Sequence, residues 1–273
     1  MEVVLVKLGG SLITDKRRSE EARVEVIERL ATEIREASEH QECRLLLGHG
    51  SGSFGHVAAA RTGIHAGIGR PSQLLGVTET QDRAATLNRI VIGALRERGV
   101  PVFSLAPSSF LLSAGGVPAE LWTEALVAAI DVGLTPVVYG DVVMDRELGA
   151  SIASTEAVLL ALAGELRHRG LMVRRSIWLG ETDGIYDARG VPIGEIDLEA
   201  MDEVLNQIGV AAGTDVTGGM RHRLETAARL AELGIESWIA DGTEPGMLQR
   251  ILQGGTGVGT RVRAEPGGSP PAD

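Results

Sequence analysis

Two lysines, a histidine and several short glycine-bearing stretches are the parts of this chain whose types and spacing could do chemistry. Lys7 ends an apolar run in VLVKLGGS, and Lys16 follows nine residues later in SLITDK. A lysine ammonium is a compact point charge suited to phosphate oxygens. On a buried strand it needs an anionic partner, because an unpaired buried charge is costly. Residues 44–56 read RLLLGHGSGSFGH: a strand-like apolar run enters a stretch with four glycines and two serines, with His49 and His56 at its two ends. Glycine brings main-chain N–H groups close to a ligand with no Cβ in the way. A helix expected over 57–61 would add its free N–H groups and positive end, completing an anion site. His56 stands where that helix should begin and can donate to a phosphate near neutral pH. His49 lies nearer the strand and reads as structural.

A second glycine stretch, TDVTGGM at 214–220, offers another backbone nest for an anion ahead of a helix expected over 221–233. Arg221, His222 and Arg223 would then sit in the first turn, where cations oppose the helix dipole unless an anion is near. Asp141, Asp145, Asp183 and Asp187 are turn acids. They could orient a lysine or a Mg²⁺-bound water, or serve only their own turns. Gly50, Gly52 and Gly55 also match G-x-G-x-x-G, but the dinucleotide fold needs a second strand soon after, and 62–76 is glycine-rich and broken by Pro71. No G-x-x-x-x-G-K-[ST], C-x-x-C or H-E-x-x-H occurs, and no residue is assigned to a metal.

The elements that must position these residues alternate. Strands are expected at 3–6, 45–47, 100–105, 135–139, 176–179, 236–240 and 259–262. Helices are expected at 20–39, within 72–98, and at 119–131, 155–169, 198–207, 221–233 and 244–252, with a hairpin pairing 142–144 and 151–153. That alternation predicts an α/β protein, a mainly parallel open sheet with helices on both faces. Ligands in such sheets bind beyond the carboxyl ends of the strands, where Gly9–Gly10, Gly50–Gly55, Gly140–Asp141 and Asp183–Gly184 all fall. The 273 residues carry a net charge of −11 and a pI near 5.1, which argues against a nucleic-acid coat and requires any cations to be gathered locally. One cysteine, Cys43, permits no intrachain disulfide and points to a reducing, cytoplasmic setting. No apolar run is long enough to span a membrane. Residues 264–273, with Gly-Gly and Pro-Pro, read as a disordered tail.

Taken in order, KLGGS, SLITDK, HGSGSFGH, GDVV, TDGIY and DVTGGM resemble the amino acid kinase family over about residues 3–262. HGSGSFGH is the most specific of these; KLGGS and TDGIY are shared across the wider family. The resemblance implies a three-layer αβα sandwich, a homodimer, Mg-ATP, and phosphoryl transfer to a small molecule, with isopentenyl phosphate as the acceptor. It implies one kinase domain over 1–263, with an acceptor-binding N-terminal half and a nucleotide-binding C-terminal half. Lys7 and the Gly9–Gly10–Ser11 backbone would hold the ATP phosphates, Lys16 would stabilise the transferring phosphoryl, and His56 would bind the acceptor's phosphate. Ser51 and Gly52 would lie between the substrates, with Asp141 and Thr155 beside the acceptor. Asp183, Gly184, Gly218, Gly219 and Arg223 would surround the nucleotide. Two positions depart from the family pattern: Arg223 replaces a lysine, and Ser154–Thr155–Glu156 replaces S-G-D. Arginine keeps the charge but changes its shape and reach, Glu156 lengthens the carboxylate arm, and Thr155 would put a side chain where the acceptor approaches. A kinase of another small phosphate or phosphonate, fosfomycin included, and a non-catalytic nucleotide-binding protein both remain open.

Overall fold

Every residue of β1 (Glu2–Leu8) after Glu2 is buried. Val3 and Leu5 turn into one hydrophobic cluster, while Val4, Val6 and Leu8 turn into another. A strand that is apolar on both faces belongs in the middle of a covered parallel sheet, and the computed structural model places it there. The structure describes residues 2–15, 17–40, 43–210, 216–255 and 257–264. The strands continue as β2 (Cys43–His49), β3 (Val102–Ser104), β4 (Leu111–Ala114), β5 (Val117–Leu121), β6 (Thr135–Tyr139), β7 (Asp141–Asp145) and β8 (Gly149–Ala153). Then come β9 (Met172–Gly180), β10 (Ile185–Tyr186), β11 (Pro192–Ile193), β12 (Glu195–Ile196), β13 (Glu236–Asp241) and β14 (Thr260–Val262). The main sheet has the order β12-β14-β13-β9-β1-β2-β6-β3. Its pairings are parallel except for β13 with β14.

The helices are α1 (Gly10–Ile13), α2 (Val24–His40), α3 (Gly52–Thr62), α4 (Gln73–Glu97), α5 (Glu124–Asp131), α6 (Thr155–His168), α7 (Met201–Val210), α8 (Val216–Glu232) and α9 (Met247–Leu252). Ile27, Leu30 and Ile34 of α2, Leu87 and Val91 of α4, and Leu248 of α9 fill one side of the sheet. Leu126 of α5, Val158 and Leu162 of α6, and Leu224 and Ala227 of α8 fill the other. The expected three-layer αβα architecture is therefore present. A second sheet of order β5-β4-β7-β8 lies past the end of β6. Its Val142 and Ala150 pack on Ala59 and Ile64 in a third cluster, which ties the β7–β8 hairpin to α3.

Several boundaries differ from expectation. Residues 117–121 form a strand and only 124–131 a helix. Pro118 cannot donate to a ladder, but β5 is an edge strand, where that loss is tolerated. The glycine stretch after β2 is already helical from Gly52, so His56 lies inside α3 rather than at its start. The second glycine stretch is likewise helical from Val216, which moves Arg221, His222 and Arg223 out of the first turn. The helix expected from 244 begins at Met247, after Gly246 with φ +75°. The tail beyond residue 264 and the 214–215 end of the second glycine stretch lie outside the described residues.

Candidate active site

Three glycine turns meet at the carboxyl ends of β1, β2 and β9. The Gly9 N–H donates to Leu179 O at 2.8 Å, and the Gly50 N–H donates to Leu8 O at 3.0 Å. Gly10 and Gly50 then touch backbone to backbone: a Cβ on Gly10 would come within 2.7 Å of Gly52 N, and one on Gly50 within 2.7 Å of Gly10 N. No side chain fits between these loops, which is why both are glycine-rich. Thr14 links them, its hydroxyl donating to Gly10 O at 2.7 Å and accepting from Ser53 N at 3.0 Å. Among the described residues the N–H groups of Gly10, Ser11, Ser51 and Gly52 make no hydrogen bond. These open donors at the starts of α1 and α3 form an anion cradle.

The charges gather beside it. Lys7 is 5% exposed and pairs with Glu156 in the first turn of α6; its ammonium lies 5.6 Å from the centre of the Trp178 ring. The Arg223 guanidinium reaches over the same spot. A Cβ on Gly180 would come within 2.7 Å of its Nη1, and one on Gly9 within 3.6 Å of its Nη2. Arg223 makes no hydrogen bond or ion pair with the described residues. Burial pushes the Lys7 ammonium down, the Glu156 carboxylate pushes it up, and Arg223 pushes it down again. Burial alone would raise the Glu156 carboxyl, but Lys7 outweighs it and holds the group at about 2. Glu156 thus compensates Lys7, while the Arg223 charge opposes that of Lys7 and suits an incoming anion. His222, 3.1 Å from the α6 capping residue Ser154, adds to the pull on Glu156.

A pocket of about 360 Å³ opens next to the cradle, lined by Ser51, Gly55, His56, Ala59, Ala60 and His65 on one wall. Thr80 and Ala84 of α4 and Gly140, Asp141 and Ile152 of the small sheet close it. Its surface is mainly apolar, and Ser51 belongs to both the pocket and the cradle. His56 is exposed to it. Asp141 is buried, and burial raises its carboxyl against two backbone donors, Ser108 N at 3.2 Å and Val142 N at 2.8 Å.

The structure brings Lys7, Gly9, Gly10, Ser11, Ser51, Gly52, His56, Asp141 and Arg223 to one rim. Lys16 lies outside the described residues. Gly218 and Gly219 sit in the first turn of α8. Asp183 is exposed and accepts from the Tyr186 hydroxyl, and Gly184, with φ +150°, packs on Thr260. The Thr155 side chain does not stand in an acceptor's path. It is 1% exposed, donates to His49 O at 2.7 Å, and rests its methyl on Gly48. His49 is structural, as expected: it is buried, with its ring stacked on Tyr139 at 5.6 Å between centroids. Sequence reasoning missed Thr14, and it singled out none of His65, Thr80 and Ala84 within 61–88, the stretch expected to carry the acceptor's tail. These residues join the site only through packing between α1, α3 and α4, and no local motif marks them.

Fold and rim together define a phosphate-handling α/β protein of one class. A sequence profile of the amino acid kinase family matches residues 2–241, and the chain belongs to that family. It is 36% identical over 278 residues to the isopentenyl phosphate kinase of Methanothermobacter thermautotrophicus, covering 95% of this chain and 98% of that one. It is 28% identical to the isopentenyl phosphate kinase of Arabidopsis thaliana over 92% of this chain and 90% of the plant protein. A crystallographic isopentenyl phosphate kinase superposes with a TM-score of 0.79 at 30% identity, covering 95% of this chain and 99% of its own.

Proposed function

We propose that this chain is a phosphotransferase that moves the γ-phosphoryl of ATP to isopentenyl phosphate, giving isopentenyl diphosphate and ADP. The observation that carries the reading is the direct continuity between a cationic, glycine-backed rim and an apolar pocket whose mouth holds His56. A phosphate monoester has a second pKa of about 6, so the nucleophilic oxygen is already ionised near neutral pH and needs no general base. The difficulty is bringing two anions into line, and catalysis is positioning and charge neutralisation.

In this reading Lys7, Arg223 and the open N–H groups of Gly10 and Ser11 hold the nucleotide phosphates. Lys16 stabilises the transferring phosphoryl, while Ser51 and Gly52 present their N–H groups between the two substrates. His56 donates to the acceptor phosphate, and the five-carbon tail enters the pocket among Ala59, Ala84 and Ile152. Asp141 and the Thr155 backbone border the acceptor, and Asp183, Gly184, Gly218 and Gly219 border the nucleotide. The acceptor is bound mainly by the N-terminal half and the nucleotide base and sugar by the C-terminal half, in a homodimer, with Lys7, Gly10 and Ser11 reaching the nucleotide phosphates from the N-terminal side.

Among the described residues no three His, Cys, Asp or Glu side chains cluster as a metal cage. Glu156 is committed to Lys7, and Asp145 to the N–H groups of Gly115, Gly116, Glu147 and Leu148. That donor set suits a Mg²⁺ carried by nucleotide phosphates rather than held by protein; when bound, the ion neutralises phosphate charge. No helix among the described residues is long and apolar enough to cross a membrane.

ADP release measured with isopentenyl phosphate, dimethylallyl phosphate, fosfomycin and glutamate tests the reading. Turnover highest with isopentenyl phosphate supports it; preference for fosfomycin or glutamate overturns it.

A further inference from the structure

His49 lies beneath the cradle, and its contacts form an ordered set. Its backbone carbonyl accepts from Gly140 N at 3.0 Å and from the Thr155 hydroxyl at 2.7 Å. Its ring Nδ1 is 3.1 Å from Gly50 O, and Nε2 is 3.1 Å from Asn88 Oδ1, while Asn88 Nδ2 lies 2.7 Å from Ser104 Oγ. Burial lowers the ring's pKa against the opposing pull of the Gly50 and Asn88 contacts, which favours the neutral imidazole with one proton. Gly50 O can only accept, which assigns that proton to Nδ1. Nε2 is then an acceptor, which requires the Asn88 amide to be turned end for end, its NH₂ toward the ring and its oxygen toward the Ser104 hydroxyl, the two ends of a carboxamide having nearly the same shape.

The Gly50–Ser51 peptide is trans, as are all those among the described residues, so its carbonyl and N–H point in opposite directions. With the Gly50 carbonyl drawn onto the His49 ring, the Ser51 N–H turns away from it. Ser51 lines the pocket, and its N–H finds no partner among the described residues. We propose that His49 is a positioning residue: its Nδ1–H grips the Gly50 carbonyl and thereby holds the Ser51 N–H open as a phosphate donor. The Gly50 carbonyl selects the tautomer, the turned Asn88 amide accommodates it, and Tyr139 fixes the ring plane. A histidine that merely filled space would need neither nitrogen.

This inference rests on the cradle being an anion site of the proposed kinase. Three variants separate the roles of the two nitrogens. In His49→Asn the side-chain NH₂ occupies the position of Nδ1 and can still donate to Gly50 O. In His49→Gln it occupies the position of Nε2 and can reach only Asn88. His49→Phe keeps the stack on Tyr139 and has no donor. Two readouts are taken on the full chain: kcat for ADP release with isopentenyl phosphate, and calorimetric binding of inorganic phosphate. His49→Asn is expected to stay within about threefold of wild type in both. His49→Gln and His49→Phe are expected to lose about tenfold or more, the scale of removing one preorganised donor, while melting cooperatively.

Equal loss in His49→Asn and His49→Gln, or full activity in His49→Phe, overturns the proposal. Should His49→Phe fail to fold, the Asn and Gln pair still decides. If the wild type binds phosphate but does not turn over isopentenyl phosphate, the kinase reading fails, and the order of phosphate affinities still tests His49. If the wild type binds no phosphate, the inference fails.

Discussion

Replacing Glu156 with Gln removes the carboxylate that pairs with Lys7 and leaves the buried ammonium uncompensated beside the Arg223 guanidinium. A carboxyl held at about 2 instead of 4.5 has its charged form stabilised by about 3 kcal/mol. Breaking a buried ion pair by removing one partner costs a similar amount, ~3–5 kcal/mol. For a chain of this size, at a little under 2 °C per kcal/mol, that corresponds to a Tm lower by roughly 5–9 °C. The assay is thermal unfolding of wild type and Glu156→Gln with and without saturating ATP. Triphosphate oxygens supply the anion that the variant lacks, so ATP should raise the Tm of the variant more than that of wild type. The pH dependence follows from the sign of the shift. Because the folded carboxyl lies below its ordinary value, its contribution is complete above pH 4.5 and disappears as pH falls toward about 2. The gap between wild type and variant should close over that window. An unchanged Tm, or a gap that ATP leaves intact, would refute the idea that Glu156 stands in for substrate phosphate.

Three further predictions address other parts of the site. His56→Ala should raise KM for the phosphorylated acceptor by about tenfold or more while ATP affinity stays near wild type; equal loss of both would take His56 out of the acceptor site. Arg223→Lys should retain most activity, because the charge remains and Gly9 and Gly180 leave room for a slimmer side chain, whereas Arg223→Ala should weaken ATP binding by about tenfold. Ala84→Phe should fill the pocket and abolish binding of isopentenyl phosphate without changing the KM for ATP; an unaltered acceptor KM would place the tail elsewhere.

The parts of the site legible in the sequence are those whose reason is local. Lys7 could be read because an apolar β-branched run followed by two glycines can only be a buried strand entering a turn, and the turn does abut Gly50. The start of α3 was not legible. Glycine and serine at 50–55 are poor helix formers, and the cap for the Ser53 N–H is the Thr14 hydroxyl from another loop. A helix closed by a distant side chain leaves no trace in its own neighbourhood. Thr155 misled for a related reason: its residue type predicts bulk in the site, but the His49 carbonyl turns that bulk inward. The strand at Val117–Leu121 was hidden by Pro118, which only an edge position permits. The partner of Arg223 was equally out of reach, since the guanidinium meets Gly9 and Gly180 across the sheet rather than along its own helix.

The proposal that two phosphates meet across the Gly10–Gly50 contact is tested most directly by ³¹P NMR of the protein incubated with Mg-ATP and isopentenyl phosphate. Conversion of the monoester resonance into a pair of coupled diphosphate signals, in step with ADP, is the predicted outcome. ADP appearing while the monoester signal persists, or no change in either, would contradict it.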